Sequence, residues 1–137
     1  MARIYHIDVA AFAANAERKW VDNLVSHFDV DGVECARRGI ARRITTDGLY
    51  RIALIRRLNA EAGISIAQAV RLADRLLAPS ERPDSAVTIG EGLELAFNRV
   101  DFETAIDVRI AEAVETFRPA PRGRPPAQGR NFERPEA

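Results

Sequence analysis

Side chains that commonly catalyse reactions or bind metals are few in this sequence. The candidate zinc ligands His6, His27 and Cys35 are too few and too far apart to match the spacing of a zinc site. Residues 29–32, Asp-Val-Asp-Gly, match the start of a calcium-binding loop, but the later ligand positions and the closing glutamate are absent. The sequence also lacks a glycine-rich phosphate loop, a nucleophile elbow and a catalytic pair of carboxylates. We therefore expect a protein that is not an enzyme and that uses neither a metal nor a cofactor.

Arginine is the polar residue whose number and placement are most informative. Only Lys19 among the 20 basic residues is a lysine, and residues 35–60 contain seven arginines and a single acid. Planar guanidinium groups suit phosphates and the edge of guanine, because they donate two parallel hydrogen bonds. The net charge of +0 conceals a regional division: residues 1–80 sum to +3, residues 81–117 to −6 and residues 118–137 to +3. This division predicts nucleic-acid binding at the basic ends and protein binding in the acidic middle.

Length and composition place the chain among ordinary globular proteins. At 137 residues, of which 47% are hydrophobic, it can form one modest domain with appendages. No apolar run is long enough to cross a bilayer, and the first residues do not resemble a signal peptide. A single cysteine cannot form an internal disulfide bond. We expect a cytoplasmic, nucleoid-associated protein with no membrane contact.

Hydrophobic periodicity predicts a mainly α-helical fold with short strands. The expected elements are a strand at residues 3–7, helices at 9–14 and 17–28, a hairpin at 37–44, and helices at 49–62 and from 66 onward. Asp8 is expected to cap the first helix. A second β-hairpin is expected around residues 90–92, followed by a helix that Asp101 caps. The last helix carries an apolar stripe of five residues: Phe102, Ile106, Ile110, Ala113 and Phe117.

The two helices nearest the N-terminus fit the steric requirements of a helix-turn-helix. Closely crossing helices need a small residue, which Ala11 supplies, and the turn needs a residue that tolerates positive φ, which Asn15 supplies. Val21 and Leu24 would anchor the second helix. Its exposed face would carry five polar side chains: Glu17, Arg18, Lys19, Asp22 and Asn23. Arginine and asparagine can each bind a base edge through two hydrogen bonds; the alternative is a plain helical hairpin with solvated charges.

The order of these elements resembles that of the MerR-like winged-helix family of DNA-binding proteins. The likeness rests on residues 5–11, Tyr-His-Ile-Asp-Val-Ala-Ala, and on residues 43–52, Arg-Ile-Thr-Thr-Asp-Gly-Leu-Tyr-Arg-Ile, and it covers about the first 78 residues. It implies a winged helix-turn-helix domain at residues 1–80 whose second helix enters the major groove. The aromatic-rich segment that usually follows that helix is replaced by Ser-His-Phe-Asp, and the long dimerising coiled coil and ligand-binding end are missing. The likeness is therefore closest to compact excisionase-like or antitoxin-like repressors.

Two arginine pairs surround the glycine at the expected tip of the wing. Arg37 and Arg38 precede Gly39, and Arg42 and Arg43 follow it. In a wing, these side chains would contact phosphates or enter a narrow minor groove. A solvated loop is the alternative interpretation.

The C-terminal tail, residues 118–137, is rich in arginine, proline and glycine, and we expect it to be disordered. Within it, Arg122, Gly123, Arg124 and Pro125 resemble the core of an AT-hook. Glycine would let the backbone approach the floor of the minor groove, where the two arginines would lie. A chance match in an arginine-rich and proline-rich tail is the alternative.

Together these features predict a sequence-specific regulator of transcription that binds double-stranded DNA, in the form of a dimeric repressor. The acidic unit at residues 81–117 would supply the dimer contacts, unless its hairpin and its helix cover each other within one chain. One alternative is an antitoxin that represses its own operon and binds a toxin through the acidic unit. Another is an architectural nucleoid protein that reads few bases.

Overall fold

The computed structural model describes residues 3–34, 42–79 and 84–117. The elements of the first part are β1 (Ile4–Tyr5), α1 (Ile7–Ala14), α2 (Arg18–His27), β2 (Val33–Glu34), β3 (Arg43–Thr45), α3 (Thr46–Ala62) and α4 (Ile66–Leu76). They are followed by β4 (Asp84–Gly90), β5 (Leu93–Asn98) and α5 (Arg99–Thr116). The mainly α-helical class is confirmed. None of the helices in these ranges has the length and apolar character needed to span a membrane.

Local hydrogen bonds explain where α1 and α5 begin, and they correct two expectations. His6 caps α1, because its Nδ1 atom accepts a hydrogen bond from the Asp8 backbone N–H at 3.2 Å. Asn98 caps α5, because its Oδ1 atom accepts from the Asp101 N–H at 2.9 Å. Asp8 and Asp101, the expected caps, instead lie in the first turn of each helix, where a negative charge favours the helix dipole.

Local hydrogen bonds also set the ends of α3 and the start of α4. Thr45 accepts a hydrogen bond from the Gly48 N–H at 3.1 Å, and Gly63 ends α3 in a left-handed conformation with φ of 68°. Ser65 then caps α4 by accepting from the Gln68 N–H at 3.3 Å. These short-range bonds set the length of α3, the helix that follows the first sheet.

The first sheet is three-stranded and antiparallel, with the strand order β1-β3-β2. β3 therefore pairs on one side with the strand that precedes α1 and on the other side with β2, where Val33 faces Ile44 and Glu34 faces Arg43. The first strand of this hairpin therefore begins at Val33, whereas the sequence predicted that it would begin at Arg37. β4 and β5 form a separate two-stranded sheet, which is the expected second hairpin.

Helix α1 lies at the centre of the core. Six of its eight residues are buried, and it packs against α2, α3 and α5. The stripe on α5 is buried in the same core at Phe102, Ile106, Ile110 and Ala113. The sequence left open whether this stripe packs within the chain or against a second copy, and in the structure it packs within the chain, against α1. The stripe is covered within the chain because every residue of α1 except Asp8 is apolar, so that α1 packs against a third helix as well as α2 and α3.

Candidate nucleic-acid interface

The turn between α1 and α2 has the geometry that the sequence predicts. Asn15 adopts a left-handed conformation with φ of 56°, and the Ala16 N–H donates to the Ala11 carbonyl at 2.9 Å. Ala11 is buried at the crossing, and Val21 and Leu24 are buried anchors of α2. The opposite side of α2 is therefore turned towards solvent.

The exposed side of α2 carries all five of its predicted site residues: Glu17, Arg18, Lys19, Asp22 and Asn23. Glu17 occupies the N-cap position but makes no side-chain capping bond. The Arg18 guanidinium lies 3.4 Å from the Asp8 carboxylate of α1, and both groups remain partly exposed. Arg18 and Lys19 contribute two positive charges and Glu17 and Asp22 contribute two negative ones, so this surface is close to neutral.

Arg42 joins the ribbon formed by β2 and β3 to helix α2. Its Nη1 atom donates to the Asp22 carboxylate, and its Nη2 atom donates to the Ser26 hydroxyl at 2.7 Å. The side chain is four-fifths buried by these contacts. Asp22 and Arg42 therefore bind each other, although each was predicted separately to contact DNA. No local pattern in the sequence indicates this pair, because its members are 20 residues apart.

Arg43 is the ribbon arginine that remains open to solvent in the described part of the chain. Its side chain is 57% exposed, and its Nε atom lies 4.0 Å from the Glu34 carboxylate on the neighbouring strand. An ion pair at this distance and exposure is weak, so the guanidinium can reach a phosphate. Arg37, Arg38 and Gly39 lie outside the described residues.

A close contact between Gly32 and Gly48 holds the ribbon against the start of α3. Both the backbone N–H and the hydroxyl of Thr45 donate to the Gly32 carbonyl, at 2.9 and 3.0 Å. A Cβ atom on Gly32 would lie 2.5 Å from the Gly48 nitrogen, and one on Gly48 would lie 2.6 Å from the Gly32 oxygen. Gly32 also has φ of +87°, which side chains disfavour. Two glycines are thus needed where the ribbon meets α3.

Helix α5 supports the turn between α1 and α2 from behind. The Arg109 side chain donates to two carbonyls in the last turn of α1, from Nε to Ala13 at 3.0 Å and from Nη2 to Phe12 at 2.7 Å. The Phe117 ring packs edge-on against Phe12 at 5.9 Å between centroids. A cation at the C-terminus of a helix also favours its dipole. Arg109 and Phe117 therefore hold the acidic unit against the end of α1, next to the turn that leads into α2.

Helix α3 is also tied to α5 through Tyr50. Its hydroxyl donates to the Asp107 carboxylate at 2.5 Å. Burial, together with the hydrogen bond and charge of Asp107, raises the pKa of Tyr50 well above its ordinary value. The phenol therefore remains a donor throughout the physiological pH range, and this contact does not act as a pH switch.

Three further arginines on α3 have partners within the chain. Arg51 is buried and donates to the Asp47 and Asp74 carboxylates, each at 3.2 Å. Arg57 pairs with Glu61. The Arg56 guanidinium lies 5.1 Å from the centre of the Trp20 ring. The high arginine content of residues 35–60 is therefore partly structural, and it overstates the positive charge available to a ligand.

The remaining predicted contacts fall outside the described ranges. Arg122, Gly123, Arg124 and Pro125 belong to the tail, which begins beyond Phe117. Residues 3–34, 42–79 and 84–117 contain no cluster of histidine, cysteine or acidic side chains that could hold a metal ion. Comparison of the chain with protein-family models, curated proteins and solved structures found no match.

Proposed function

We propose that this protein binds double-stranded DNA as a winged helix-turn-helix, with α2 in the major groove and the β2–β3 ribbon against the phosphate backbone. The observation that carries the proposal is the link from Arg42 to Asp22 and Ser26. It places the ribbon beside the exposed polar side of α2, so that one DNA duplex can contact both. Ten residues of helix, about 15 Å long, fit within the major groove.

The two surfaces would have different tasks. Arg18, Lys19 and Asn23 would contact bases, since they lie on the exposed side of the first two turns of α2. Because this side is nearly neutral, most phosphate binding would come from Arg43 of the ribbon and from Arg37 and Arg38, which lie outside the described residues, with the tail as a second basic segment.

A repressor that binds a palindromic operator needs two copies of this DNA-binding surface. The buried stripe of α5 is not free for this purpose, so a dimer would use other parts of residues 84–117. The hairpin offers Leu93, which is 61% exposed, and the outer side of α5 offers Val100 and Val108. We propose a dimer through this surface.

An antitoxin role is the second candidate, and the charge of the acidic unit favours it. Glu91 and Glu94 on the hairpin and Asp101 and Glu112 on α5 are all exposed. This surface suits a basic protein partner better than DNA. An antitoxin that represses its own operon would also bind DNA, through the same surface of α2 and the ribbon. A neighbouring gene for a small basic toxin whose product copurifies with this chain would support it.

The decisive experiment is selection of bound fragments from a library of random double-stranded DNA, followed by footprinting. We expect enrichment of one motif, with two inverted halves if the protein binds as a dimer. Binding without any enriched motif would favour an architectural protein. If the protein binds no double-stranded DNA at low salt, the proposal is refuted, since even non-specific DNA-binding proteins bind under that condition.

Replacing Asn23 by alanine tests base reading by α2. The free energy of binding to the selected motif is expected to weaken by about 1–3 kcal/mol, because a two-bond contact with one base is lost. Specificity should relax at one base pair, and affinity for random DNA should remain. The control is Gln68→Ala, which removes a side-chain amide from α4. If both variants bind the motif as the unmodified chain does, α2 does not read bases through Asn23.

A double-mutant cycle on Asp22 and Arg42 tests the link between ribbon and helix. Arg42→Gln is expected to weaken DNA binding by misplacing the ribbon, with a loss of folding stability of about 1 kcal/mol or less. Asp22→Asn together with Arg42→Gln should bind DNA no worse than Arg42→Gln alone, because the link is already broken. Additive losses in a binding titration would instead mean that the two residues contact DNA separately.

A further inference from the structure

A groove lies between α3 and α5, apart from the proposed DNA-binding surface. It consists of two neighbouring cavities of about 440 and 400 Å³, which share the lining residues Arg57, Glu61 and Ala105. The groove follows α3 from Ala53 to Ala62, a length of about 14 Å along the helix. Each cavity alone is large enough for a small organic molecule.

The end of the groove next to the second hairpin is apolar. Leu54 and Leu58 of α3 face Leu95 and Phe97 of β5 across it. The Phe97 ring is tilted against Phe102 of α5 at 5.4 Å between centroids. Leu95 and Phe97 are only half buried, so apolar surface remains exposed to an occupant. A bound molecule would gain free energy by covering this surface.

The other end of the groove is cationic. Arg56, Arg57 and Arg109 line it, together with a single carboxylate, Glu61. Glu61 already pairs with the Nε atom of Arg57 at 3.2 Å, which leaves both terminal nitrogens of that guanidinium unused by the pair. Small residues line this end of the groove and leave room for a ligand: Ala13, Ala14, Ala53, Ala60 and Ala105.

We propose that this groove binds a small organic carboxylate with an apolar body. The carboxylate would lie beside Arg56 and Arg57, whose guanidinium groups would donate charge-assisted hydrogen bonds to it. Arg109 would add positive charge nearby, since its Nε and Nη2 atoms already donate to the Ala13 and Phe12 carbonyls. The apolar body would lie against Leu95 and Phe97. Asp101 at the rim of the apolar end would repel an anion there, so only one orientation of the ligand is favourable. The proposal does not depend on DNA binding, because no residue of the groove belongs to the exposed side of α2 or to the ribbon.

Calorimetric titration of the full chain with decanoate, below its micelle concentration, tests this site. We expect saturable binding of one decanoate per chain. Decyltrimethylammonium has an alkyl chain of nearly the same length and the opposite charge, and it should bind at least roughly tenfold more weakly. Absence of saturable decanoate binding, or equal affinity for the two probes, would overturn the proposal. No DNA is present, so the result is separate from the test of DNA binding.

Two matched substitutions locate the site. Ala105→Glu places a carboxylate inside the groove and should lower decanoate affinity at least roughly tenfold. Thr104→Glu adds the same charge at the neighbouring exposed position of α5, which lines neither cavity, and it should retain decanoate affinity. Equal losses in both variants would contradict the proposal. If Ala105→Glu does not fold, Arg56→Gln combined with Arg57→Gln decides the question, since this pair should lose decanoate binding while Arg71→Gln with Arg75→Gln should not.

Discussion

A fragment of residues 1–80 is expected to lose the cooperative thermal unfolding of the full chain. It would lack α5, whose side chains Phe102, Ile106 and Ile110 are buried against the central core. Burial of each such side chain contributes about 1.5–3 kcal/mol, so the three together contribute roughly 5–9 kcal/mol. This is comparable to the whole stability of a small domain, about 5–15 kcal/mol. The fragment would also lose the Arg109 hydrogen bonds to the last turn of α1.

Circular dichroism during heating provides the measurement, and a fragment of residues 1–117 is the control. This longer fragment keeps every described helix and strand and should unfold like the full chain. A sharp transition in the 1–80 fragment, near the temperature of the full chain, would contradict the prediction. It would mean that the helix-turn-helix part folds by itself and that the hairpin with α5 is an independent unit.

Replacing Gly32 by alanine is expected to lower the free energy of unfolding by roughly 3 kcal/mol or more, which a denaturant titration can measure. Two effects add: a left-handed backbone costs a side chain about 1–2 kcal/mol, and crowding in a packed site costs about 1–3 kcal/mol. The crowding at Gly32 is severe, because the backbone of Gly48 would lie 2.5 Å from the new Cβ atom.

Two other glycine substitutions separate these effects. Gly63 has φ of +68° but nothing within 4 Å of an added Cβ atom, so Gly63→Ala should lose only about 1–2 kcal/mol. Gly48 lies in the first turn of α3, where alanine ordinarily favours a helix over glycine by about 1 kcal/mol. A loss of stability in Gly48→Ala would therefore come from its contact with Gly32. If Gly32→Ala were no worse than Gly63→Ala, the close contact between ribbon and α3 would be refuted.

Elements with a local cause could be predicted closely. Asn15 and Gly63 mark helix ends because a left-handed residue completes the last turn with bonds to carbonyls nearby. The second hairpin follows from alternating residues around Gly90 and Gly92. Local patterns did not identify the N-cap where two nearby polar residues could each cap the helix. His6 and Asn98 cap their helices in place of the expected aspartates.

The candidate interface also combines features that the local sequence predicts with contacts that only the folded chain forms. The sequence alone determined which five side chains lie on the exposed side of α2, because helical periodicity and the apolar anchors Val21 and Leu24 decide this within one turn or two. It also determined that α5 has one buried stripe. Only the tertiary structure decided that α1 covers this stripe, that Arg42 binds Asp22, and that Arg109 holds the end of α1 from 96 residues away. The physical reason is that periodicity and capping act over a few residues, whereas ion pairs and helix packing depend on distances in space that folding alone creates.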